Sequence, residues 1–403
     1  MLVVESLGAL EEREFRLLWL GQATSALGAS LVPVALAFAV LELTGSASAL
    51  GLVLSAALIS RVVLLLAGGV VADRLPRQKV MLGADLLRTA SQGLAAVLLI
   101  TGHARVWELV VLIALFGAGD AFFAPASTGL VPETVRADRL QQANALMSLS
   151  RSVALVAGPT ISGLLVAGIG PGWVFAFDAA TFAVSSGSLA CLRLPRSVSE
   201  APSATVLMDL HGGWREVRSR AWVWAAVVRF SMSNLAIAPL FVLGPFVAQE
   251  SLGGATAWGL IGTAGGIGAV LGDAAALRFR PRRPLLAGGL AASLLALEPA
   301  LLARPFPTAV VAVAAALGFA GSGFSNALWF TALQERIPRQ ALSRVSSYDW
   351  LGSIAFQPAG FALAGPLAAV IGVPPTLLGS AAVQASACIA VSLSPSVRGL
   401  RTR

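Results

Sequence analysis

Charge is scarce in this chain: only 12% of its 403 residues are Asp, Glu, Lys or Arg, against 57% hydrophobic residues and a mean hydropathy of +0.81. No water-soluble fold of this length hides so much apolar surface in one core, so a bilayer is the expected solvent. Two cysteines, Cys191 and Cys388, both in apolar runs, and two histidines, His103 and His211, have no spacing that assembles a zinc site or a disulfide framework. Neither a metal nor redox chemistry is expected. No Gly-x4-Gly-Lys-Ser/Thr loop occurs, so nucleotide-driven work would need a separate subunit, and neither a cofactor nor an enzymatic activity is expected. The net charge of +8 comes in short clusters at the ends of apolar runs, with no basic face carrying interleaved aromatics, which argues against nucleic acid as a partner. The first fifteen residues hold Glu5, Glu11, Glu12 and Glu14, wrong for a signal-peptide n-region, and the apolar run after them is too long for an h-region. That run reads as a retained first span.

A helix needs about 20 apolar residues to cross roughly 30 Å of hydrocarbon, and twelve such runs are present, near 16–42, 48–71, 80–101, 106–128, 142–168, 172–192, 222–248, 256–278, 284–303, 307–330, 345–370 and 374–394. Lys and Arg in short loops stay cytoplasmic. Arg13, Arg74, Arg77, Lys79, Arg136, Arg139, Arg193, Arg196, Arg215, Arg218, Arg220, Arg280, Arg282, Arg283, Arg336, Arg339 and the tail arginines fall on one side, and only Arg105 and Arg304 on the other. Both termini are therefore expected in the cytoplasm, with the bilayer as the chain's surroundings.

The longest polar break divides the spans six and six. The expected organisation is an N-terminal six-helix half over 1–194, a cytoplasmic linker over 195–221 and a C-terminal six-helix half over 222–403. A constant offset tests for duplication: adding 203 takes Gly69 to Gly272, Arg77 to Arg280, Lys79 to Arg282, Leu130 to Leu333 and Arg136 to Arg339. The register drifts further on, where Pro159 falls opposite Pro358. Two similarly oriented six-helix halves imply a pseudo-two-fold axis along the membrane normal, with a site at their interface.

One short turn, GGVVADRLPRQKVM over 68–81, concentrates charge between two apolar runs. Gly69, Asp73, Arg74 and Arg77 fit in register the Gly-x-x-x-Asp-Arg-x-Gly-Arg-Arg/Lys signature of the major facilitator superfamily, which the chain resembles over nearly its whole length. Pro76 replaces the second glycine and Gln78 precedes Lys79 where a base is usual. The resemblance implies an all-α membrane fold of twelve transmembrane helices in two pseudo-symmetric halves, working as a monomer. It also implies that Asp73 forms a charged latch at the N-terminus of another helix, the eleventh span near Arg344, with the arginines on lipid phosphate or neighbouring acids. Simple positive-inside topology explains Arg74, Arg77 and Lys79 equally well, but not Asp73.

A second signature, Gly-x8-Gly-x3-Gly-Pro-x2-Gly-Gly, belongs to proton-coupled exporters of that superfamily and here gives Ala145, Ala154, Gly158, Pro159, Ser162 and Gly163. Gly158, Pro159 and Gly163 are the strict matches; all the positions are small or proline, as a close, bent helix contact requires, and ordinary small-residue packing is the competing reading. The stretches EFRLLWLGQATSALG, AFFAPASTGLVPETV, LQQANALMSLSRSVALVAGP and RVSSYDWLGSIAFQPAGFALAGPLA resemble the twelve-span drug/proton antiporter branch related to macrolide and enterobactin exporters. What this implies is a secondary active exporter of small amphiphilic compounds, drugs or secondary metabolites, exchanged for protons. An importer of a metabolite on the same fold and a transport-inactive sensor or assembly protein are the alternatives.

Ionisable groups inside spans are costly, so each is a functional candidate. Asp120, flanked by Phe122 and Phe123 in the fourth span, is the first choice for a proton-binding or cation-recognising carboxylate; the alternative is a structural partner for a buried arginine, with Arg61 in the second span available. Asp85 and Arg88, three apart on the third helix, read as a structural pair, with Asp85 also a reserve proton-coupling candidate. Asp178 reads as packing. Asp349 and Asp273 lie near cytoplasmic helix ends, where water and arginines favour gating contacts, and Asp349 is the other reserve for proton coupling. The fold resemblance adds Gln22, Arg61, Asn234, Asn326 and Trp329 as cavity-lining candidates, any of which could instead be an interhelical hydrogen-bond donor or anchor.

Overall fold

In hydrocarbon a long apolar run satisfies its backbone only by forming a helix. A computed structural model, which describes residues 8–194, 217–304, 306–337 and 339–401, is helical over all twelve expected stretches. In the first half these are α1 (Arg13–Thr44), α2 (Ala47–Arg74), α3 (Arg77–Ile100), α4 (Val106–Thr134), α5 (Leu140–Ile169) and α6 (Pro171–Ala190). In the second half α7 (Ala221–Val247) is extended by a π turn over Ala248–Leu252 and followed by α8 (Gly254–Arg278). Then come α9 (Pro284–Leu302, with a 3-10 stretch at Ser293–Ala296), α10 (Thr308–Arg336), α11 in two pieces (Arg339–Ile354 and Gln357–Ile371) and α12 (Val373–Leu393). Eleven of the helices are long and apolar enough to cross a bilayer. The other is α3, whose 24 residues are long enough but include buried Asp85, Arg88, Ser91 and Gln92.

The chain forms two compact units, Met1–Ala201 and Pro202–Arg403. Most of the linker expected over 195–221 lies outside the described residues. Within its own unit, α1 packs on α5 and α6, α2 on α4, and α3 on α4 and α6; likewise α7 packs on α11 and α12, α8 on α10, and α9 on α10 and α12. The shared pattern matches the duplication read from the sequence. Leu130 and Leu333, a pair at that offset, sit in the core clusters of the two units, with Trp19 and Trp222 packed against them. Gly170 (φ 86, ψ 160) and Gly372 (φ 92, ψ 158) make the same corner ahead of α6 and α12, in a region essentially reserved for glycine.

Three elements differ from expectation. Helix α10 continues six residues past 330, to Arg336. Helix α4 continues six residues past 128, through Pro125 and Pro132, to Thr134. The span expected over 345–370 is interrupted between Ile354 and Gln357, just ahead of Pro358, which has no N–H for a helix ladder. Side chains of α7 take up carbonyls at the interruption: Ser231 Oγ donates to Gly352 O at 2.5 Å and Asn234 Nδ2 to Ser353 O at 3.0 Å.

Candidate functional site

In the N-terminal unit, four charged side chains from three helices meet inside the bundle. Asp120 of α4 accepts from two arginines, Arg61 Nη1 of α2 at 3.2 Å and Arg88 Nη1 of α3 at 3.2 Å. Arg88 also bridges to Asp85 one turn away on α3, and Ser185 Oγ of α6 donates to the other oxygen of Asp85 at 2.6 Å. The guanidinium of Arg88 lies over the rings of Phe123 and Phe182, 4.0 and 4.5 Å from their centroids. Two cations and two carboxylates thus compensate one another in a place where an unpaired charge would be prohibitive. Burial grades along the chain of contacts: Asp85 is 0% exposed and Arg88 5%, whereas Asp120 is 29% and Arg61 37% exposed. The outer pair is therefore the more accessible part of the cluster. Beside it, Asp178 of α6 is fully buried and accepts from Gln92 Nε2 of α3 at 2.8 Å, while its Oδ1 has no partner among the described residues.

The charged turn is only partly described. Gly69, Asp73 and Arg74 lie in the last turns of α2, and the side chains of Asp73 and Arg74 are outside the described residues, as is that of Arg344, where the latch is expected. Arg77 stands at the start of α3, where its Nη1 meets Glu133 Oε1 of α4 at 2.6 Å and Gly129 O at 3.0 Å; Lys79 is exposed. Gln78, the residue that departs from the family pattern, donates from Nε2 to Leu189 O and Leu192 O at the end of α6, at 2.6 and 3.1 Å. On α5, Gly158 lies against Ser30 of α1, Ser162 Oγ donates to Leu31 O at 2.6 Å and Gly163 is buried. The helix runs unbroken through Pro159.

In the C-terminal unit a cavity of about 330 Å³ is lined by Asn234 and Asn326, both expected cavity residues, together with Arg229, three phenylalanines, serines and Gln357. Trp329 stands off this wall and takes the other reading open to it, an interhelical hydrogen-bond donor: it is 1% exposed, packs edge-on against Trp222 and Phe230, and donates from Nε1 to Asp349 Oδ2 at 2.9 Å. A large ring finds more apolar contact between helices than on a wall. Asp349 departs from the expectation: it is 5% exposed rather than facing water at a helix end, because α11 begins earlier and carries it into the bundle. Gln22 is buried on α1 and accepts from Ser127 Oγ of α4 at 3.2 Å.

Two charged residues escaped the sequence reading. Arg229 on α7 is 6% exposed with its guanidinium 4.1 Å from the Phe230 ring centroid, and Glu298 on α9 is 2% exposed with an Oε2 that has no partner among the described residues. The signal was available, since each is an ionisable group within an apolar run.

A family model described as Major Facilitator Superfamily matches residues 18–353. Macrolide efflux protein A of Streptococcus pyogenes is 23% identical over 243 residues, 60% of this chain and 60% of that protein, so the match spans less than two thirds of its length. The enterobactin exporter EntS of Salmonella choleraesuis is 27% identical over 392 residues, 94% of this chain and 90% of the exporter. Among solved structures, a point mutant of the nucleoside transporter NupG superposes with a TM-score of 0.75 at 14% identity, covering 95% of this chain and all of that one, a likeness of fold. The family match over most of the chain and the helical architecture of the described residues agree: this chain belongs to the major facilitator superfamily of membrane transporters, and its relatives lie in the drug-exporter branch.

Proposed function

We propose that the protein is a secondary active exporter that expels small amphiphilic compounds across the plasma membrane in exchange for protons, by alternating access, as a monomer with both termini in the cytoplasm. Relatives named for efflux of a macrolide and export of enterobactin support the direction and the cargo type. The observation that carries the proton coupling is Asp120, a carboxylate within a span, partly exposed and held between Arg61 and Arg88. Protonating it removes one negative charge from a cluster of two cations and two carboxylates, which frees Arg61 and changes what the site attracts. Asp85 stays with Arg88 and keeps the inner pair neutral. A group that can lose its charge without exposing a fully buried one is suited to cyclic protonation.

Asp120→Asn keeps the size of the side chain and loses the titration. In proteoliposomes with an imposed pH gradient, the variant is expected to lose gradient-driven accumulation of a fluorescent amphiphile while retaining equilibrium exchange without a gradient. Gradient-driven transport equal to wild type would make Asp120 structural, and transport in neither assay by the wild type would leave a membrane protein that does not transport.

A further inference from the structure

The cavity of the C-terminal unit has one charge on its wall, and that charge is positive. Arg229 lines it, nine-tenths buried, and none of the ion pairs among the described residues uses its guanidinium; its near neighbours are the Phe230 ring and the Cys388 thiol. Asp349, whose charge acts on it, is engaged through Oδ2 by Trp329. A second positive element reaches the same space. Gln357, the first residue of the 15-residue second piece of α11, lies on the cavity wall, so the N-terminal, positive end of that helix dipole abuts the cavity. The break that creates this helix end is built in, since Ser231 and Asn234 of α7 hold the carbonyls on its other side. Interrupted helices in membrane transporters occur where irregular backbone lines a ligand or ion site. The rest of the wall is aromatic and neutral: Phe230, Phe241 and Phe319, with serines and Asn326.

We propose that this cavity is a binding site for organic anions, taking a carboxylate or comparable acidic group between Arg229 and the helix end at Gln357, with an aromatic body against Phe230, Phe241 and Phe319. Arginine matches a carboxylate with two parallel donors, and helix N-termini add to the same charge preference. Its volume of about 330 Å³ lies in the range of small-molecule sites. The inference rests on the transport reading only in calling the ligand a cargo, and it narrows that cargo to amphiphiles carrying negative charge.

The test uses three probes of one shape: 2-naphthoate, its neutral amide and the cationic 2-naphthylmethylamine. Binding to the full chain in nanodiscs is read by calorimetry. Wild type is expected to prefer the acid over the amide by about tenfold or more, and the amide over the amine. Arg229→Gln should bring acid and amide to the same affinity, while Arg229→Lys keeps part of the difference. Should Arg229→Gln fail to fold, Ser322→Glu, which adds a carboxylate to the wall, should abolish naphthoate binding and spare the amide. Absence of saturable naphthoate binding, equal affinity for the three probes in wild type, or an undiminished preference in Arg229→Gln would each overturn the proposal. Charge-selective binding without gradient-driven transport would leave the site standing and remove the exporter reading; proton-driven transport of neutral amphiphiles with no preference for the acid would do the reverse.

Discussion

A guanidinium that is 5% exposed inside an apolar bundle has to be neutralised where it sits, and Arg88 has Asp85 on its own helix and Asp120 on α4. The two acids are not equivalent. Asp85 is fully buried and also holds Ser185, so replacing it removes the buried half of the charge that compensates Arg88 and leaves only the partly exposed Asp120. Breaking a buried pair costs about 3–5 kcal/mol, whereas partly exposed pairs are worth roughly 1 kcal/mol or less. Asp85→Asn should therefore lower the unfolding temperature of the purified protein clearly more than Asp120→Asn, followed by the loss of monodisperse protein on heating in detergent. Equal losses would mean that the burial gradient along the cluster does not set its energetics. The i,i+3 spacing of Asp85 and Arg88 was legible in the sequence, because one helical turn fixes it. That Asp120 and Ser185 complete the cluster was not, since it depends on how α3 is rotated against α4 and α6.

At the scale of elements, the two prolines that the repeat sets opposite each other do different things. Helix α5 passes through Pro159, whereas α11 breaks ahead of Pro358. Partner chemistry separates the cases. Helix α7 offers donors from Ser231 and Asn234 to the carbonyls at the α11 break, while α1 presents Ser30 and the Leu31 carbonyl to an intact α5 at close range. Composition alone reveals that a proline is present, not whether a neighbouring helix supplies hydrogen bonds for the backbone it frees. The α1–α5 contact is testable by a matched pair on one helix. A Cβ at Gly158 would lie 2.9 Å from the Ser30 carbonyl oxygen and closer still to its side chain, whereas a Cβ at Gly168 meets nothing within 4 Å. Gly158→Ala should destabilise by about 1–3 kcal/mol through overpacking. Gly168→Ala should be neutral or stabilising by about 0.5–1 kcal/mol, the ordinary gain of alanine over glycine in a helix. A thermal-stability comparison in which both variants behave alike would show that the helices separate freely at Gly158.

For the whole molecule, the twelve helices and the duplicated packing were legible because bilayer thickness and backbone hydrogen bonding leave a long apolar run little choice. Of the C-terminal cavity, Asn234 and Asn326 were legible in the sequence, whereas the place of Arg229 on its wall depends on how α7 packs against α11 and α12. Orientation in the bilayer is the remaining property of the whole chain, and charge decides it. Within the N-terminal unit, Glu12 accepts from the Arg136 backbone N–H at 3.1 Å, Arg139 meets Glu11 at 3.0 Å and Glu14 accepts from the Arg193 N–H at 2.8 Å. The segment before α1, the α4–α5 connection and the end of α6 therefore share one end of that unit, and it is the basic end. In the C-terminal unit Arg336, at the end of α10, donates to the Arg401 carbonyl, so the tail lies at a basic helix end as well. Acids that pair with these arginines do not cancel the topological signal, which counts Lys and Arg rather than net charge. A green fluorescent reporter fused after Arg403 should fluoresce and alkaline phosphatase at the same place should stay inactive, whereas phosphatase inserted after Gly102, between α3 and α4, should be active. Active phosphatase after Arg403 would invert every span, put Asp120 in a cluster entered from the other side of the membrane, and turn the proposed direction of transport into an open question for the gradient assay.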